Sequence, residues 1–433
     1  MLSTAQQHAQ ALLSFIDNSP SPWHAVQSTV EQLKSHGFNE LNEADAWSLK
    51  SNARYYVIRD DSSIIAFTTG STNLAQDGFR LIGAHTDSPG LRLKPQPDKK
   101  IGPFNQLTVE VYGGPILATF TDRDLGLAGR VHFKQNGQIS SKLVHFNKPF
   151  LRLANLAIHM NPKVNSDGLK LNKQTELPLM LSISNDEQLK PPKITELLAE
   201  KLAINSTDIL AWELHVCDTQ AGSLYGLNDE FYANSQLDNL ASCHAGLSAL
   251  LSDKSLNAGQ FNVCAFFDHE EIGSNSHKGA DGSFLPDTLE RIADALNVSA
   301  EEYKRALSNS FLISADMAHA YQPNFPSAYE PDHKVVVNDG PVIKINANIR
   351  YASNSASQAH FMQLCEQSGV PFQQYSHRTD LGCGSTIGPM TSANLGINTV
   401  DVGCPMWAMH SIRESAGVQD HQYITQIFTQ FFS

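Results

Sequence analysis

Apolar and polar positions follow two rhythms along this chain, and the change from one to the other outlines its organisation. Residues 5–15 carry apolar side chains near helical spacing. Ser21-Pro22 supplies an N-cap and a first-turn proline for a second helix over 23–33, which Gly37 closes. Two short β-rich runs, 55–58 and 64–68, flank Asp60-Asp61-Ser62 and predict a hairpin. Leu81-Ile82-Gly83-Ala84 reads as a buried strand and runs straight into His85-Thr86-Asp87.

After Ser88-Pro89-Gly90 the period shortens. Residues 107–112, 127–133 and 139–144 alternate as strands do, residues 194–202 are the clearest helix, and 161–186 read as a polar loop. From about Asn234 the helical period returns between apolar runs. Helices are predicted over 238–251, 285–296, 302–307, 355–366 and 419–432, and strands over 261–267, 311–315, 342–349 and 398–402. Strand–helix alternation predicts an α/β fold, a three-layer α/β/α domain with a mostly parallel sheet, interrupted by a smaller β-rich domain. The expected division is 1–90 and 234–433 for the α/β domain, with 91–233 inserted.

Composition narrows the class. A chain of 433 residues with 41% apolar and 17% charged residues can bury a large core and does not resemble a disordered one. No apolar run approaches the roughly 20 residues that span a bilayer, so no membrane partner is expected. The net charge of −13 argues against nucleic acid, which needs a positive footprint. Residues 1–20 hold no Lys or Arg and show no secretory pattern, and the six cysteines form no C-x-x-C pair. Reduced thiols in a cytoplasmic protein are the expectation.

Several predicted strands end in potential metal ligands. His85 and Asp87 close the first, Asp268-His269-Glu270-Glu271 the second and Asp316 the third. His410 follows the late strand, and Asp238 stands at a helix start. Carboxyl ends of strands in an open α/β sheet converge on one crevice, so these distant residues can meet there. Two histidines and three carboxylates suit zinc or another divalent ion. A bridging carboxylate can hold two ions, which acidify water and polarise a carbonyl. Of the adjacent pair Glu270 and Glu271, one can ligate while the other takes the proton from water. Asp87, two residues beyond His85, can orient the imidazole. Singly, a His-x-Asp turn or a Glu pair is commonplace; their recurrence where apolar strands stop points to a metal centre.

These motifs resemble the aspartyl aminopeptidase family of dinuclear zinc exopeptidases. The resemblance runs from Ser21-Pro22-Trp23-His24 to Ser411-Ile412-Arg413-Glu414. It is carried by Gly83-Ala84-His85-Thr86-Asp87-Ser88-Pro89, Leu237-Asp238-Asn239, Asp268-His269-Glu270-Glu271-Ile272-Gly273-Ser274, Ser314-Ala315-Asp316-Met317-Ala318-His319-Ala320, Gly340-Pro341-Val342-Ile343-Lys344 and Ala408-Met409-His410-Ser411-Ile412-Arg413-Glu414. It implies two zinc ions per subunit on His85, Asp238, Glu271, Asp316 and His410, with Asp238 bridging. It implies Glu270 as general base toward a metal-bridged water, and Asp87 as the orienting carboxylate. It further implies a peptide substrate with an N-terminal Asp or Glu, and a homododecamer assembled from dimers through the inserted domain.

By the same resemblance Lys344 pairs with the acidic side chain, while His319 and Tyr351 are further substrate contacts. His159 reaches a neighbouring subunit's site to contact substrate, with metal ligation as the second reading. The glycines of residues 382–388 let a loop approach the substrate backbone and start a helix; a phosphate cradle is the weaker alternative, because no P-loop Lys follows them. His269 receives no role. Two functional alternatives stand beside the acidic aminopeptidase: a broad-specificity dimetal aminopeptidase or amide deacylase, and a catalytically silent metal-stabilised assembly protein, which would need no Glu270.

Overall fold

The apolar run Phe261–Phe267 is a strand buried at every position, and its neighbours explain why. It pairs in parallel with Phe79–His85, which pairs in parallel with Phe311–Ala315, itself parallel to Asn398–Gly403. A computed structural model describes residues 2–71, 73–184 and 192–433. The chain divides into two units: Met1–Asp87, Gly222–Met409 and Glu414–Ser433 form one, and Ser88–Ala221 with His410–Arg413 form the other.

The first unit carries a nine-stranded mixed sheet. Its order is Asn39–Leu41, Arg54–Arg59, Ser63–Thr68, Phe261–Phe267, Phe79–His85, Phe311–Ala315, Asn398–Gly403, Val342–Ile345 and Gln373–Ser376. Five of the eight pairings are parallel and three antiparallel. Alternate side chains feed two separate cores, as strand geometry requires. Ile82, Ala84, Cys264 and Phe266 join Leu240, Leu247, Ile424 and Phe428 from helices Leu237–Leu250 and Val418–Phe431. Leu81, Val263, Ala265 and Phe267 join Phe284, Leu289, Tyr303 and Ile387 from Phe284–Ala295, Ala300–Asn309 and Ile387–Leu395. Helices therefore cover both faces, which gives the three-layer α/β/α arrangement. The fit is close on each side. A Cβ on Gly246 would come within 3.2 Å of Ile82, and one on Gly83 within 2.9 Å of Ile387.

The hairpin Arg54–Arg59 and Ser63–Thr68 turns through Asp60 and Asp61, both at positive φ (53° and 56°). Two readings change. Asp238, predicted helical, is not: it and Asn239 have non-helical dihedrals, and their shared peptide bond is cis. The strand predicted over 342–349 ends at Ile345, and Ile349 has positive φ. A second, five-stranded sheet joins Ser223–Tyr225, Phe231–Asn234, Glu414–Gly417, Pro405–Trp407 and Ala318–His319. Segments of two to four residues carry too little period to be seen in the sequence.

The second unit is a six-stranded sheet of antiparallel pairs with the helix Ile194–Leu202, which places Ile194 and Leu198 in its core. The stretch 161–186, predicted as loop, contains the short helix Val164–Asp167 and the strand Leu179–Ile183. Residues 185 and 186 lie outside the described residues. The strand forms because Leu177 and Leu179 enter the core while 104–107 offers pairing partners. Among the described residues no helix is long and apolar enough to cross a membrane.

Candidate active site

Three neighbouring parallel strands stop almost level. Phe267 pairs with His85, and Ser314 with Gly83, so His85, Asp268 and Asp316 leave the same edge of the sheet. Helix Leu237–Leu250 adds Asp238 from one face. The Asp238 amide donates to Glu414 Oε2 at 3.0 Å, Asn239 Nδ2 donates to the Ala315 carbonyl at 2.8 Å, and Cys243 Sγ donates to the His85 carbonyl at 3.1 Å. These bonds fix the helix start against two strand ends.

His85 is the hub. Its Nε2 lies 3.4 Å from Asp238 Oδ1, 3.9 Å from Asp316 Oδ2 and 3.9 Å from Glu270 Oε2. Its Nδ1 meets the Asp87 carbonyl oxygen at 2.9 Å and the Asp87 carboxylate at 3.5 Å. With Nδ1–H donating to that carbonyl, Nε2 turns a lone pair toward the acidic cluster. The Asp87 carboxylate accepts the amides of Glu270 and Glu271, each at 3.1 Å. It thereby fixes the short turn Glu270–Ile272, whose flanking His269 and Gly273 are left-handed.

So many carboxylates in a buried place repel one another. Burial and the neighbouring Asp316, Asp87 and Asp238 push the Glu270 carboxyl up to about 8, with His85 opposing. Burial and Asp238 hold Glu271 well above its ordinary value, again against His85. Burial also raises Asp316, which Lys344 pulls back down. Burial alone would lower the His85 imidazole, but Glu270, Asp238 and Asp87 drive it well above its usual value. The deficit is one of positive charge. His85 with Asp238 and Asp316, and His85 with Glu270 and Glu271, each present three ligand atoms within 4.8 Å of one another. Imidazole nitrogen plus carboxylate oxygen is a donor set that suits zinc, so the residues fit a divalent ion.

Lys344 and Tyr351 join this group. Lys344 is 3% exposed, its Nζ lies 3.3 Å from Asp316 Oδ1 and 5.5 Å from the Tyr351 ring centre. His319 follows Ala318, which packs with Tyr351 and Tyr375, and its ring lies 5.9 Å from Tyr375 and 6.3 Å from His377. His410 belongs to the second unit, where its Nδ1 is 3.1 Å from the Gly114 carbonyl. His159 is an exposed residue of that same unit. Sequence reasoning gave no role to Glu414, which holds the Asp238 amide, or to Asp401, whose carboxylate accepts Thr386 Oγ1 at 2.6 Å and the Ala352 amide at 2.5 Å. Glu414 closes the last motif of the resemblance but received no role there, and Asp401 is a single acid with no spacing to mark it. The expected helix after the glycine loop is present, capped by Thr386 Oγ1 on the Gly388 amide.

A mixed sheet whose strand ends gather a histidine and several buried acids offers a donor set for a divalent metal ion. Comparison with known proteins gives the family: the Aminopeptidase I zinc metalloprotease (M18) profile matches residues 15–432. A probable M18 family aminopeptidase 2 of Pseudomonas paraeruginosa is 46% identical over 431 residues, covering 98% of this chain and 97% of the relative. Ape4, solved by cryo-EM in complex with Nbr1, superposes with a TM-score of 0.95 at 39% identity, covering 99% of this chain and 86% of the other. The mApe1 dodecamer of S. cerevesiae gives 0.84 at 27% identity, covering 98% and 96%. The chain belongs to the M18 family and is a zinc-dependent metallo-aminopeptidase, a hydrolase.

Proposed function

We propose that this aminopeptidase removes N-terminal Asp or Glu from peptides, using two zinc ions per subunit held by His85, Asp238, Glu271, Asp316 and His410, with Asp238 between them. When bound, such a pair lowers the pKa of water and polarises the scissile carbonyl. Glu270 takes the proton from the attacking water and returns it to the leaving amine. Its side chain is 12% exposed, against 1% for His85. Asp87 contributes by fixing the turn that carries both glutamates.

The observation that carries the substrate reading is the buried Lys344 ammonium beside Asp316. A desolvated point charge at that place recognises a carboxylate side chain, with Tyr351 and His319 as neighbours to the substrate. A peptide panel varying only the first residue tests it. Charge-assisted hydrogen bonds contribute about 1.5–3 kcal/mol, so Lys344→Met should lower kcat/KM for Asp and Glu peptides by roughly 10- to 100-fold. Ala and Leu peptides should change much less. Equal losses on both sets would reject acidic selection and leave a broad-specificity aminopeptidase.

We further assign the segment 91–233 to oligomerisation and the chain to a homododecamer built from dimers, in line with the S. cerevesiae mApe1 dodecamer. His159, exposed on that segment, is assigned to a neighbouring subunit's substrate site. Six cysteines, all free thiols, suit a reducing cytoplasm.

A further inference from the structure

Behind the catalytic turn lies a buried cation that the reaction scheme does not use. Lys278 is 2% exposed. Its Nζ lies 3.0 Å from Asp268 Oδ2 and 2.7 Å from Asp60 Oδ2, and 5.6 Å from the centre of the Trp23 ring. Asp268, equally buried, is the residue between the strand Phe261–Phe267 and the turn that bears Glu270 and Glu271. Its Oδ1 accepts the His269 amide at 2.8 Å, and its own amide donates to Ser63 Oγ at 2.8 Å. The same Ser63 hydroxyl donates to the Lys278 carbonyl at 2.8 Å. The Asp87 carboxylate takes the next two amides, those of Glu270 and Glu271.

Two buried carboxylates thus take successive amides of one segment, Asp268 that of His269 and Asp87 those of Glu270 and Glu271, and their like charges repel. Lys278 is the counter-charge that lets both stay in place. Removing one partner of a buried pair leaves the other charge uncompensated, whereas removing both is often neutral. Without Lys278, Asp268 would be pushed off the turn or would push Asp87 off the two glutamate amides. Either shift moves Glu270 relative to His85. The geometry points to Lys278 as a positioning residue that sets Glu270 through Asp268, the His269 amide and the turn held by Asp87. The inference rests on Glu270 being the proton acceptor.

Zinc-loaded variants test it through kinetics and metal content together. Lys278→Met keeps the length and loses the charge. It should lower kcat about 10- to 100-fold, the range seen when outer supports of a metal site are removed. KM should stay at the wild-type value, and the loss in kcat should persist at saturating zinc. Lys278→Arg should recover most of the rate. Asp268→Asn/Lys278→Met should turn over at least about fivefold faster than Lys278→Met alone, because coupled buried partners are non-additive. Wild-type kcat in Lys278→Met would overturn the inference. So would a double variant no faster than the single, or a loss carried by KM or abolished by saturating zinc. If Lys278→Met does not fold, the double variant decides: folded and within about tenfold of wild type supports the inference, while folded and slower than that overturns it. Glu270→Gln measured alongside separates the two readings. Normal turnover there removes Glu270 as the acceptor, whereas slow Glu270→Gln with an indifferent Lys278→Met removes Lys278 alone.

Discussion

Glu270→Gln should retain its zinc and lose about 10²- to 10⁴-fold in kcat, the usual contribution of a positioned general base. The amide has nearly the shape of the carboxylate, and the Glu270 backbone amide would still reach Asp87, so the turn should hold. What is lost is the ability to take a proton from water. Because burial and the neighbouring Asp316, Asp87 and Asp238 already disfavour a charged Glu270 carboxyl, a neutral amide there costs the zinc-free fold little, and that variant should melt no lower than wild type. Steady-state kinetics with metal analysis checks this. A variant turning over near the wild-type rate would remove Glu270 as the base and favour Glu271 or an external one.

Asp238→Asn should be nearly as severe for a different reason. Asp238 is 3% exposed, its carboxylate is 3.4 Å from His85 Nε2, and its amide is fixed by Glu414. The substitution keeps volume and backbone bonding but removes the charge assigned to both ions. Lewis-acid stabilisation is worth several kcal/mol, and about 4 kcal/mol corresponds to roughly a thousandfold in rate. Bound zinc should fall below two ions per chain. The metal-free protein, freed of one crowded charge, should be at least as stable as wild type. Loss of activity with full zinc occupancy would contradict the bridging role; loss of folded structure would show Asp238 to be a structural acid.

The sheet was legible because buried parallel strands are written as unbroken apolar runs. Phe261–Phe267 and Leu81–Ala84 announced themselves, and the acids at their ends mark the candidate site. What lay in the sequence only as isolated residues could not be read. The Asp87 carboxylate was expected to orient His85, yet it spends its oxygens mainly on the Glu270 and Glu271 amides and leaves the closer imidazole contact to its own carbonyl. The turn that offers those amides follows the left-handed His269, which no spacing encodes. Glu414 and Lys278 act across 176 and 10 residues, on Asp238 and Asp268 respectively. Such pairings are tertiary facts. Leu179–Ile183 was hidden by its polar surroundings, and the two- to four-residue strands of the second sheet were too short to show a period.

Anomalous diffraction at the zinc edge from a zinc-loaded crystal tests the central claim most directly. Two peaks roughly 3.5–4 Å apart are expected, one on each side of the Asp238 carboxylate, with His85, Glu271, Asp316 and His410 completing the ligands and Glu270 left unligated beside them. A single peak, or zinc held by other side chains, would contradict it.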